Sequence, residues 1–249
     1  MKIQLIRNAT MRILYSGRQI LTDPMLSKKH EIESFAGVSP NPVIDMPVPV
    51  SQVLEGIEAV FLSHLHQDHF DLAAQGLINK DMKIFCQPVD VKRLKDMGFL
   101  DINAVEKETQ WGGMAISRTG GQHGTGKWEK EMGHVSGFVF KADGEPVVYW
   151  AGDTILSGTV DRVIETFDPD IIITHSCGAK FPDSDPIIMD AKQTIDLSKK
   201  TQKATVIAVH MESLDHASVT RSGLRAAAED AGVSKEKLRI PGDGEILEF

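Results

Sequence analysis

The chain has 249 residues, 41% of them hydrophobic and 25% charged, with a formal net charge of −8. That length can bury a full core within one domain, while the acidic balance disfavours a partner with a phosphate backbone. Two distant cysteines, Cys86 and Cys177, exclude a disulfide framework or a Cys-rich zinc module. No apolar run approaches the ~18 residues of a membrane span, and the start reads as alternating strand and not as a signal peptide. The expectation is one domain over 1–249, cytoplasmic and without a membrane span. Nine histidines are the one compositional oddity.

In chain order, strands are expected over 2–7, 11–15 and 18–21, with Ser16-Gly17 as a hairpin turn. Residues 24–50 carry Pro40, Pro42, Pro47 and Pro49 and read as a long irregular loop, functional or mobile. A helical turn over 51–56 precedes the apolar strand 59–62. A helix over 71–79, a strand over 83–86 and a helix over 88–97 follow, the last with Pro88 in its first turn and Gly98 past its end. Strands are expected over 114–118, 135–141 and 147–150. Helices over 159–167, 186–200 (Asp185 as N-cap) and 216–231 then alternate with strands over 171–174 and 205–209, and a last strand covers 246–249. Early hairpins and later strand–helix alternation imply sheet layers with helices packed outside.

His64, His66, Asp68 and His69 crowd into six residues directly after an apolar strand. In extended chain, i and i+2 share a side, so His64 and His66 can serve one ion, while the following turn redirects Asp68 and His69 to a second. His123, Asp153 and His210 each follow a strand, and ligands at strand ends can converge on one sheet edge. Nitrogen and oxygen donors of this kind suit zinc first, and also manganese, iron or nickel.

The segment Ser63-His64-Leu65-His66-Gln67-Asp68-His69 is an HxHxDH motif, followed in order by Gly121-Gln122-His123, Ala151-Gly152-Asp153-Thr154 and Ala208-Val209-His210. With these motifs the chain resembles the metallo-β-lactamase-fold hydrolase superfamily over essentially its whole length. The resemblance implies an α/β fold, a four-layer αββα sandwich of two mixed sheets with helices on the outer faces. It also implies a dinuclear metal site, with His64, His66 and His123 on one ion, Asp68, His69 and His210 on the other, and Asp153 bridging both. Asp153 holds the place corresponding to the Cys that often serves the second metal in zinc β-lactamases. The context of His123 and Asp153 and the segment Ile240-Pro241-Gly242-Asp243-Gly244-Glu245 are most similar to the L-ascorbate-6-phosphate lactonase and N-acyl-phosphatidylethanolamine phospholipase D branch.

The implied activity is a metal-dependent hydrolase in which a hydroxide held between two ions attacks a small ester, lactone or phosphodiester. Asp68 is a candidate to orient the nucleophile or shuttle its proton. Two ions bring about +4 against about −3 from two carboxylates and a hydroxide, so an anionic small molecule is the expected substrate. The alternative is a nucleic-acid-processing phosphodiesterase of the tRNA-maturing type, which the acidic balance disfavours. A homo-oligomer stays open.

His216 is expected at a helix start with Asp215 as cap, as a catalytic proton donor or substrate contact, or as a mere neighbour of the cap. His134 competes with His123 for the first ion but reads as a strand start. His175 ends a strand and is either a support for the site or a satisfied interior histidine. His30, Lys127, Lys130 and Lys180 read as solvated. By the resemblance, Asp23 supports a metal-bound histidine. Phe35, Met46, Trp128 and Met132 read as packing more than as a lid.

Overall fold

The computed structural model describes residues 1–249. Its first sheet starts as an antiparallel meander, β1 (Lys2–Arg7), β2 (Thr10–Tyr15) and β3 (Arg18–Thr22), and continues with β4 (Ala59–Phe61), β5 (Lys83–Cys86) and β6 (Ile102–Ala104), all parallel to β3. The second sheet repeats the plan. β7 (Glu108–Trp111), β8 (Met114–Gly120), β9 (Ser136–Lys141) and β10 (Val148–Trp150) form the meander, and β11 (Ile171–His175), β12 (Thr205–Val209) and β13 (Leu238–Arg239) run parallel to β10. β14 (Ile246–Glu248) closes the outer edge of the first sheet against β1, so each sheet has seven strands.

Both faces of the central strands are covered, which explains their near-continuous apolar runs. In β4, Ala59 and Phe61 face the opposite sheet, while Val60 and Leu62 meet α1 (Val50–Leu54), α2 (Leu72–Leu77) and α3 (Val91–Asp96) through Val53, Ala74 and Leu94. In β12, Ile207 and Val209 join the inter-sheet core. Val206 and Ala208 meet α5 (Gly158–Phe167), α6 (Ala191–Lys200) and α7 (Arg221–Asp230) through residues such as Val160, Leu197 and Leu224. The result is the expected four-layer αββα sandwich. No helix is long and apolar enough to cross a membrane.

Two helix starts differ from expectation. Residues 186–190 are not helical: Ile187 N–H donates to Ala179 O and Met189 N–H to Thr154 O, and Asp190, not Asp185, caps α6 by accepting from Gln193 N–H at 2.8 Å. Likewise 216–219 is tied to the 177–180 segment, with Ser218 and Val219 N–H on Cys177 O, and α7 starts only after the Thr220 cap. Tertiary backbone pairing outcompetes helix propensity in both places. The 88–97 segment splits into a 3-10 turn, Pro88–Asp90, and α3. The short or polar elements β6, β7, β13 and α4 (Lys127–Met132) carry little apolar periodicity and are not foreseen.

The 24–50 loop is irregular, as expected, apart from one bridge between Ile32 and Asn41. Two buried or half-buried charged side chains are among its ties to the body. The buried Arg7 guanidinium donates to the carbonyls of Met25, Ser27 and Ile44. The Asp215 carboxylate accepts from Ser34 Oγ, Asn41 Nδ2 and the amides of Phe35, Ala36, Val38 and Ser39. Burial works against that carboxylate's charge, yet these donors hold its pKa well below the usual range. Asp215 is therefore a loop anchor and not the helix cap expected.

Candidate metal centre

Every expected ligand lies where a strand ends on one edge of the sandwich. β4 runs into 63–69, β8 into His123, β10 into Asp153 and β12 into His210. The backbone is drawn tight there. Gly152 has φ +68°, and a Cβ on it would lie 2.4 Å from Ser136 O, so only glycine fits. His210 adopts φ +65°, a left-handed conformation costly for a residue with a Cβ, held by its N–H donating to Asn8 O.

The side chains form two groups. Ring nitrogens of His64, His66 and His123 lie within 4.8 Å of one another, and so do ligand atoms of His69, Asp153, His175 and His210. Asp153 stands between the groups. Its Oδ2 is 3.2 Å from His69 Nε2, 3.3 Å from His123 Nε2 and 3.9 Å from His64 Nε2, and its Oδ1 is 3.7 Å from His210 Nε2. Asp68 Oδ2 lies 3.1 Å from His210 Nε2 and 3.3 Å from His69 Nε2. All these residues are buried except the half-buried His66.

The hydrogen bonds behind the rings test whether the pocket suits a cation. His69 Nδ1 meets Asp23 Oδ2 at 2.7 Å, and His123 Nδ1 meets the carbonyl of Ile187 at 2.9 Å. Ser63 Oγ donates to Asp23 Oδ2 at 2.6 Å and so accepts from His64 Nδ1 at 2.9 Å. His210 Nδ1 points at Cys177 Sγ, 3.5 Å away. A carboxylate or carbonyl accepts only, so Asp23, Ile187 O and, through its own bond to Asp23, Ser63 take the Nδ1 protons of His69, His123 and His64 and turn those Nε2 lone pairs inward. With the rings neutral, those lone pairs and the carboxylate oxygens converge as a donor set that suits divalent cations.

Electrostatics agrees. Burial first, then the neighbouring histidines, pushes His64 well below the usual histidine range, and burial brings His123 down to about 4 and lowers His66. Burial also opposes charge on His69 and His210, but the carboxylates, Asp153 foremost, raise both well above the usual value. Asp68 and Asp153 fall well below the carboxylate range despite burial, because His69 and His210 face them. The second group therefore favours positive charge, which divalent cations would supply while leaving the rings neutral.

Above this floor opens a cavity of about 400 Å³, walled by Phe35, Met132, Ala179, Phe181 and Ile187, with Ser34, Gln67 and His216 as its other polar members. His216 packs edge-on to Phe35 and stacks on Phe181, burial lowers its pKa, and its buried Nδ1 has no partner. Phe35 and Met132 thus reach the cavity, Trp128 stacks on Phe181, and Met46 packs against the helices of the first sheet. His30, His134, Lys127, Lys130 and Lys180 are exposed and belong to neither ligand group, although His134 lies beside His64 and His66 in a small neighbouring cavity. Sequence reasoning passed over Asn8, which donates to Asp68 O at 2.9 Å, and the backing roles of Ser63, Trp150 and Cys177. Their only signal is adjacency to a ligand or a strand end.

A family model described as "Beta-lactamase superfamily domain" matches residues 18–211. UPF0173 protein YddR of Bacillus subtilis (strain 168) is 34% identical over the whole of both chains. The chain belongs to the metallo-β-lactamase superfamily, in its UPF0173 family. Within that family, a UPF0173 metal-dependent hydrolase of Azorhizobium caulinodans is 24% identical, again over all of both chains. The crystal structure of isothiocyanate hydrolase from Delia radicum gut bacteria superposes with a TM-score of 0.93 at 35% identity, covering 100% of this chain and 99% of that one. This UPF0173 chain is accordingly an enzyme, a metal-dependent hydrolase.

Proposed function

We propose that the enzyme adds water to a small, uncharged electrophile, with an isothiocyanate as the leading substrate class. The observation that carries this is the cavity lining. Five apolar side chains surround the His/Asp floor, and no lysine or arginine is among the lining residues. Sites that recognise phosphate place guanidinium or ammonium groups there. The lining therefore favours an uncharged substrate over the anionic one expected from sequence, and disfavours a nucleic-acid phosphodiester. The likeness to the isothiocyanate hydrolase supports the same class. Lactones and esters, which the resemblance to the lactonase and phospholipase branch implies, fit the same wider chemistry.

His64, His66 and His123 would hold one divalent ion and Asp68, His69 and His210 a second, with Asp153 shared; zinc is the first candidate for such donors. Bound there, divalent ions supply Lewis acidity and lower the pKa of water to near neutrality. Asp68, at the cavity floor, orients the attacking water. His216, which lines the cavity and whose pKa burial lowers, takes a proton from it and returns it to the leaving atom. For an isothiocyanate the balance is R–N=C=S + H2O → R–NH2 + O=C=S. The water oxygen bonds the central carbon, the C–N bond breaks and nitrogen gains both protons. Phe35 and Phe181 hold the R group and exclude bulk water.

The test is a panel of benzyl isothiocyanate, a neutral lactone and bis(p-nitrophenyl) phosphate, run on metal-stripped and zinc-, manganese-, iron- and nickel-reconstituted enzyme. Metal-dependent turnover led by the isothiocyanate is expected. Preference for the phosphodiester, or full turnover after verified metal removal, would overturn the proposal.

A further inference from the structure

His175 ends β11 fully buried, and its Nδ1 lies 2.5 Å from Asp153 Oδ1, close enough to count it among the second group of ligand atoms. Its other nitrogen decides its role. Trp150 Nε1 donates to His175 Nε2 at 3.0 Å, and an indole N–H can only donate. That bond occupies the Nε2 lone pair. With Nε2 accepting that bond, the imidazole's one N–H is at its other nitrogen. The proton sits on Nδ1 and points at Asp153 Oδ1. No lone pair is left to serve a cation at either ligand group.

The geometry points to His175 as a positioning residue and not a ligand: a Trp150–His175–Asp153 relay, fixed in one tautomer, orients the carboxylate shared by the two ligand groups. The inference rests on reading Asp153 as that shared ligand. Trp150 is fully buried in the inter-sheet core, with its ring stacked on Phe138 at 5.8 Å. The relay therefore ties the orientation of Asp153 to the inter-sheet core. One oxygen, Oδ1, is held by the imidazole N–H, while Oδ2 stays directed at His64, His69 and His123. A neutral N–H donor also withdraws electron density from the carboxylate without adding charge, so bound ions stay stronger Lewis acids than under a free carboxylate.

Four observations test this, three of them independent of any substrate. In zinc-loaded enzyme, nitrogen-15 NMR of the His175 ring should show a protonated Nδ1 and an unprotonated Nε2. His175→Asn, whose amide N–H falls near the Nδ1 position, should keep the wild-type zinc count by native mass spectrometry. His175→Leu should lower kcat about 10–100-fold, the range for lost outer partners of metal ligands, and His175→Asn should restore most of it with KM unchanged. Trp150→Phe keeps the aromatic core and should loosen the tautomer, visible as a mixed nitrogen-15 signal with the zinc count retained. A missing zinc ion in His175→Asn, or a wild-type Nδ1 without its proton, would make His175 a ligand and overturn the inference. If His175→Leu does not fold, the wild-type spectrum and the other two variants still decide. A protein that hydrolyses no isothiocyanate yet shows the protonated Nδ1 and an unchanged zinc count would fail only the substrate reading.

Discussion

His64, His66 and His123 meet without a carboxylate of their own, whereas His69 and His210 meet between Asp68 and Asp153. The first group holds its rings neutral through burial; the second holds its rings charged against burial, because carboxylates face them. Two neighbouring sites built from similar residues thus have opposite relations to the proton. The first offers lone pairs that protons scarcely contest near neutral pH, and the second would take a cation only by displacing protons. The difference lies in where the carboxylates stand.

The strongest way to break this comparison is to remove what the groups share. Asp153→Ala should weaken binding at both, take the zinc count below one per chain and lower turnover by more than the roughly 100-fold typical of outer partners; loss of one ion alone, by native mass spectrometry, would show that Asp153 serves a single group. Asp23→Asn is next. Its carboxylate backs His69 directly and His64 through Ser63, so zinc affinity should fall about 10–100-fold at both sites, as competition with a chromophoric chelator would show. pH separates the groups without mutation. Protons compete at the second group below the raised pKa values of His69 and His210, but at His123 only near 4. Acidifying from pH 7.5 to 5 should release the second group's ion first and keep the other, giving a population with one zinc per chain; simultaneous release would contradict the assignment. The smallest effect is expected for Cys177→Ala. It removes a weak acceptor behind His210 alone, so affinity should drop a few-fold at the second group and stay unchanged at the first.

What was legible in the sequence follows from what each feature depends on. The central strands announce themselves because burial on both faces makes them apolar throughout, as in Val206-Ile207-Ala208-Val209. The candidate ligands stood out because the motif order places them at strand ends, and the structure gathers those residues at one edge of the sandwich. The helix starts at 186 and 216 failed because Ile187, Met189, Ser218 and Val219 spend their amides on distant carbonyls, which no local pattern encodes. Asp215 looked like a cap because it precedes a helical pattern, yet its donors come from a loop some 175 residues earlier in the chain. The Trp150–His175 bond was equally hidden, since it joins neighbouring parallel strands only once their register is set.

The most direct test of the whole account is a stepwise zinc reconstitution of stripped enzyme, counting ions per chain by native mass spectrometry while measuring benzyl isothiocyanate turnover in the same samples. Turnover that stays low with one ion and rises with the second, to two per chain, is the predicted result. Full turnover at one ion per chain, or in the stripped enzyme, would contradict a centre in which both ligand groups act together.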